Sequence, residues 1–201
     1  MKPILVLYAA REGHARLVAA YLGTRIEARG LSADMLDTAS VPPAFSLENY
    51  SAVIIAASVH HRRHAPEIVN FVKYHTPDLK NMPAAFLSIS RSEARAQDVS
   101  ARADRRTRAA ADVHKMIEAF VRETGWSPPI TKAVAGTLTD SKHRRLLRFV
   151  VKRSARQAGG AADTSKDHVY TDWIGLDLVV GELLLITLQA PTRTESERLA
   201  G

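Results

Sequence analysis

Hydrophobic positions along the chain alternate between two spacings. Ile4–Tyr8 (ILVLY) is a continuous apolar run, the pattern of a strand covered on both faces. Leu17, Val18, Tyr21, Leu22 and Ile26 then recur at helical spacing until Gly30, predicting a helix over 13–29. Residues 33–36 read as a short second strand near a sheet edge, and Pro42 and Pro43 break the chain after it. A third strand at 53–57 (VIIAA) is as apolar as the first, and its exit, 58–65 (SVHHRRHA), reads as a loop. That loop leads into a helix with Pro66 in its first turn and Ile68, Val69, Phe71 and Val72 on its inner side. Residues 84–88 form the fourth strand, and the polar stretch 89–104 reads as a long loop. A helix at 105–123 should bury Val113, Met116, Ile117, Phe120 and Val121, and residues 131–137 (TKAVAGT) supply a fifth strand.

Five strands joined by helical crossovers predict an α/β doubly wound parallel sheet, order 2-1-3-4-5, with its switch point beside strand one. Ligands of such sheets sit at the carboxyl ends of the strands. The junction of the first strand and first helix therefore reads as a phosphate cradle, because amides at a helix start lack intrahelical partners.

The alternation is interrupted at 138–168, so the domain is expected over 1–190 with an insertion after strand five. Within the insertion, 142–156 carries seven basic residues and no acid. At 100° per residue, Leu146, Leu147, Val150 and Val151 share one arc, with Arg144, Arg145, Arg148 and Lys152 opposite. Such a helix suits an anionic membrane surface, and equally a packed helix with a solvated face. A last apolar helix, 174–188, has only Asp177 and Glu182 as charges. It could be buried, pair two chains into a homo-oligomer, or touch lipid. Asp172 is placed to cap it, and the polar 191–201 tail is expected to be disordered.

Composition narrows the chemistry. A chain of 201 residues, 46% apolar, buries one sizeable core. A net charge of +7 favours acidic partners without choosing among them. Absence of cysteine excludes disulfides, thiolate metal sites and cysteine nucleophiles. The amino-terminal apolar run is accounted for by the first strand, so no signal peptide is expected, and no run reaches the ~18 apolar residues of a membrane span. His60, His61 and His64 cluster, and His60 and His64 would share a face in a helix, but no carboxylate stands at metal-ligand spacing, so no metal is assigned. Neither a Ser/His/Asp constellation nor a Walker loop is visible, which argues against hydrolysis and ATP use.

Gly13 after strand one, ENYSAVIIAASV (48–59), MPAAFLSIS (82–90), AVAG (133–136) and above all GGAADTSKDHVYTDW (159–173) resemble the flavodoxin-fold, quinone-dependent protoporphyrinogen IX dehydrogenases. The resemblance implies a flavodoxin-like enzyme that uses FMN to oxidise protoporphyrinogen IX in haem biosynthesis, with a membrane quinone as acceptor. It implies a cytoplasmic protein, peripheral on the inner face of the cell membrane, with no nucleic-acid partner. The FMN phosphate would lie on Ala10, Arg11, Glu12, Gly13, His14 and Ala15, and the flavin ring between Ser58, Val59 and His60 on one loop and Ser88, Ile89 and Ser90 on the other. The flavin carries the chemistry, so no catalytic side chain is assigned. Arg62, Arg63, Arg91 and Arg95 are candidates for the substrate's propionates, since guanidinium pairs bidentately with carboxylate; each also reads as solubilising loop charge. The sequence departs from the family in carrying Ala9, Ala10 and Ala15 where hydroxyl residues surround the phosphate. Ring candidates beside the flavin reduce to His60, His61 or Trp126. A flavodoxin-like quinone reductase or electron carrier, and a cofactor-free basic binding module on the same scaffold, remain the alternatives.

Overall fold

The structure, a computed structural model, describes residues 1–9, 13–136 and 171–189. Its elements in order are β1 (Ile4–Tyr8), α1 (His14–Glu27), β2 (Ala33–Asp37), β3 (Ala52–His60), β4 (Arg63–His64), α2 (Pro66–Leu79), β5 (Ala84–Ser90), α3 (Arg91–Gln97), α4 (Ala103–Thr124), β6 (Ile130–Ala135) and α5 (Trp173–Gln189). The sheet runs β2-β1-β3-β5-β6, all parallel, with β4 folded back antiparallel on β3. With the two-residue β4 set aside, that is the predicted order of five.

Apolar runs in β1, β3 and β5 follow from coverage on both faces. Val6, Ile54 and Leu87 point to a layer built by α1 and α5, where Val18, Leu22, Leu176 and Val180 are buried. Leu5, Ile55 and Phe86 point to the opposite layer, with Ile68 and Val72 of α2 and Phe120 of α4. Phe86 and Phe120 stack at 4.1 Å between ring centroids, 8° from parallel, worth about 0.5–1.5 kcal/mol beyond their buried area. Trp126 is fully buried against both rings and donates its indole N–H to the Leu79 carbonyl at 3.3 Å.

Three sequence expectations need correcting. The exit of β3 is not an open loop: the strand continues through His60, and His61 and Arg62 turn the chain with φ of 47° and 65°, so that His60 pairs Arg63 and Val59 pairs His64. Two successive positive φ values match the twist of a two-residue hairpin. His60 and His64 thus lie on strands and do not share a helical face. The stretch 89–104 is not a long loop either, since β5 runs directly into α3. Ser90 Oγ accepts the Glu93 N–H at 3.1 Å, a Ser-x-x-Glu start, and Ala94 anchors the helix inward. Finally, Trp126 lies in the core and is no neighbour for a ligand. The insertion 138–168, its basic residues Arg144, Arg145, Arg148 and Lys152, and the 191–201 tail lie outside the described residues.

The last helix buries one face only. Leu176, Val179, Val180 and Leu183 are in the core, while Ile174, Leu178, Leu185 and Leu188 are exposed. Asp172 caps it as expected, Oδ1 accepting the Gly175 N–H at 2.8 Å. A Cβ at Gly175 would overlap the Asp172 carboxylate and the Lys132 ammonium, so a side chain here would displace that ion pair.

Candidate functional site

The first and third strands end side by side, and their exits lead to opposite layers of the sheet: β1 into α1, β3 through the hairpin into α2. This is the switch-point crevice of a doubly wound sheet. On its β1 side Gly13 adopts φ 71°, ψ −26° and precedes α1, its carbonyl accepting the first helical bond from Leu17 N–H at 3.0 Å. An L side chain in that left-handed conformation costs about 1–2 kcal/mol. No side chain caps this end of α1, so the Ala15 and Arg16 amides are left at the helix start to meet an anion. The cradle residues Ala10, Arg11 and Glu12 lie outside the described residues. The flanking Ala9 and Ala15 are buried, with relative exposures of 2% and 1%, and their methyl side chains add no donor to the backbone amides.

His14, the first residue of α1, is buried. Its Nε2–H donates to the Ala135 carbonyl at 3.2 Å, and the Thr171 hydroxyl donates to the same oxygen at 3.3 Å. The ring therefore ties the start of α1 to the end of β6 and the approach to α5. Its Nε2 is thereby engaged within the fold.

On the β3 side, Ser58 is buried and its carbonyl accepts the Ala65 N–H at 3.0 Å, while Val59 and His60 are half-buried on the hairpin. His64, the last hairpin residue, is buried against Phe86 and Phe120, ring centroids 5.3 and 5.0 Å away, and hydrogen-bonds through Nε2 to Ser88 Oγ at 2.9 Å. Burial pushes its pKa down to about 4, against a small opposing pull from Glu123, so the imidazole is neutral. Ser88, Ile89 and Ser90 are all buried strand residues. The Ser88 hydroxyl is held by His64, and the Ser90 hydroxyl caps α3, so both hydroxyls already have partners within the fold.

The four candidate arginines divide. Arg91 and Arg95 are exposed on α3, which packs on α4 and β6. Arg62 is tied to Asp112 of α4 at 2.5 Å. Arg62 and Arg63 line a cleft of about 360 Å³ between the hairpin and α4, and Arg122 lines it too. Arg122 is a residue that sequence reasoning missed: as one cation on the polar side of a long helix, nothing in its local pattern marks it. Among the described residues no three His, Asp or Glu side chains converge as metal ligands.

The crevice fits the phosphate of a mononucleotide by its chemistry: main-chain donors at a helix start, a glycine turn, and small side chains around them. A model of the flavodoxin domain family matches residues 5–165. The chain is 30% identical over 169 residues to the protoporphyrinogen IX dehydrogenase (quinone) of Escherichia coli strain K12, covering 84% of this chain and 87% of that one. It is 26% identical over 196 residues to the protein of the same name from Leishmania major, covering 96% of this chain and 79% of that one. A parallel sheet in the order β2-β1-β3-β5-β6, a glycine turn into an uncapped α1 and the match over 5–165 together place this chain in the flavodoxin domain family, to which it belongs.

Proposed function

We propose that this protein is an FMN-dependent dehydrogenase that oxidises protoporphyrinogen IX to protoporphyrin IX and passes the electrons to a quinone. The observation that carries this reading is the 30% identity to a protoporphyrinogen IX dehydrogenase (quinone), sustained over 84% of this chain and 87% of that one. When bound, FMN supplies the redox step by taking up hydride equivalents at its ring. The chain binds and orients. Amides at the start of α1 hold the phosphate, with Gly13 setting their direction. The hairpin and the carboxyl end of β5 flank the ring, and the neutral, buried His64 keeps the two in fixed register through Ser88. Arginines beside the hairpin meet the acidic arms of the substrate.

Quinones dissolve in membranes. Among the described residues no helix is long and apolar enough to cross one. The basic run 142–156, with Arg144, Arg145, Arg148 and Lys152, supports docking at an anionic inner-membrane surface from the cytoplasm.

The test is anaerobic turnover. Protein loaded with FMN and given protoporphyrinogen IX and a soluble quinone should develop porphyrin fluorescence at a rate that depends on both flavin and quinone. Protein that takes up no FMN, or yields no porphyrin above the uncatalysed rate, would leave the cofactor-free binding module as the better account.

A further inference from the structure

The geometry points to the cleft between the β3–β4 hairpin and α4 as a dicarboxylate subsite, in which Arg63 and Arg122 anchor the propionate arms of the tetrapyrrole. This rests on the protoporphyrinogen reading above and specifies which cations serve it. The charges in the cleft do not count equally. Arg62 is neutralised by Asp112 at 2.5 Å, and Glu123 by Lys73 of α2 at 3.2 Å. Arg63 and Arg122 make no ion pair among the described residues, and both are exposed. Two cations without partners therefore face one cavity, and a ligand with two carboxylates satisfies both.

The floor is apolar, made by Val69 of α2 and Met116 and Phe120 of α4. A cavity of about 360 Å³ is near the lower end of the ligand-site range. It admits the propionate-bearing edge of a porphyrinogen but not the whole macrocycle. The remainder of the ring is left outside, beside the hairpin that flanks the switch-point crevice. The ligand class is thus an apolar ring system with two acidic arms, held at its acidic edge. Arg91 and Arg95, on α3, do not line this cleft.

The experiment titrates FMN-loaded protein with protoporphyrin IX and with its dimethyl ester in the same detergent, following porphyrin fluorescence. Arg63→Gln and Arg122→Gln should each weaken binding of the diacid about tenfold and leave the ester unchanged, since a charge-assisted bidentate pair is lost in each. Arg122→Lys should restore part of the loss, and Arg108→Gln, an exposed cation on α4 outside the cleft, should leave binding of the diacid as it was. In turnover, the double Gln variant should raise KM more than it lowers kcat. Equal affinity of the wild type for diacid and ester, or diacid binding that survives the double variant, would overturn the subsite. If turnover proceeds with an unchanged KM in the double variant, the cleft is wrong and the dehydrogenase reading stands. If the diacid binds through both arginines in a protein that oxidises no porphyrinogen, the cleft stands and the dehydrogenase reading falls.

Discussion

His64 is the residue where burial and chemistry are most tightly coupled. It sits between Phe86 and Phe120 with one hydrogen bond to Ser88, and its pKa falls from 6.5 to about 4 because water is excluded from the charged form. The unfolded chain binds a proton near pH 6.5, and the folded chain only near 4. Stability is therefore intact above about pH 6.5 and lost progressively down to about pH 4, roughly 3 kcal/mol in all. His64→Asn keeps a neutral hydrogen-bonding side chain at every pH. It should lower Tm at pH 7, because the smaller group leaves the two rings underpacked, yet flatten the fall in Tm between pH 7 and pH 4.5. Burial also lowers the pKa of His75, opposed by Asp78, so a residual slope persists in the variant. Parallel Tm-against-pH curves for wild type and variant would show that His64 does not carry this dependence.

Among the elements, α5 shows how an isolated apolar run becomes fixed to the domain. Arg25 of α1 donates from Nε and an η nitrogen to the two Asp177 oxygens, each at 2.6 Å, and Arg29 adds a contact at 3.2 Å. Tyr21 packs on Trp173 with ring centroids 4.7 Å apart. The Arg25 bond holds the Asp177 carboxyl below its ordinary pKa, so this contribution is present above the usual carboxylate range and lost as pH falls below that range through the lowered pKa. The Arg25 and Asp177 side chains are 38% and 27% exposed, which limits the pair to about 1 kcal/mol at low salt. Asp177→Asn should therefore cost about that much in urea unfolding at low ionic strength and clearly less in 0.5 M salt, where the Debye length shrinks to about 4 Å. A loss that is the same at both salts would mean the ion pair is not what docks α5. Much of this scale was legible in the chain itself. Continuous apolar runs marked the central strands, crossovers of helical length gave the strand order, and Asp172 announced the start of α5. The hairpin was not legible, because His61 and Arg62 take positive φ without the glycine or asparagine that signals it. Nor was α3, whose only buried residue is Ala94, although Ser90 and Glu93 carried the capping spacing. The His64–Ser88 hydrogen bond, and the cleft that both Arg63 and Arg122 line, bring together residues far apart in sequence, so no local pattern could expose them.

For the molecule as a whole, the sheet order decides where a ligand can bind and the side chains decide how. The exits of β1 and β3 diverge to opposite layers, which opens the crevice. Ala9 and Ala15 bring no hydroxyl donors to it, so under the proposed function the main-chain N–H groups at the start of α1 are the donors to test. A ligand that binds only the folded state adds about 2.7 kcal/mol at one hundred times its Kd. For a chain of 201 residues that raises Tm by about 5–10 °C. FMN at saturating concentration should produce such a shift. Riboflavin, identical in its ring but lacking the phosphate, should give a much smaller one at the same concentration. Inorganic phosphate should erode the FMN shift by competing for the amides, and should leave the riboflavin shift unchanged. Gly13→Ala should reduce the FMN shift more than the riboflavin shift, because the left-handed turn that aims those amides is strained by a Cβ. Equal shifts from FMN and riboflavin, insensitive to phosphate, would place the binding energy in the ring and remove the cradle from the account.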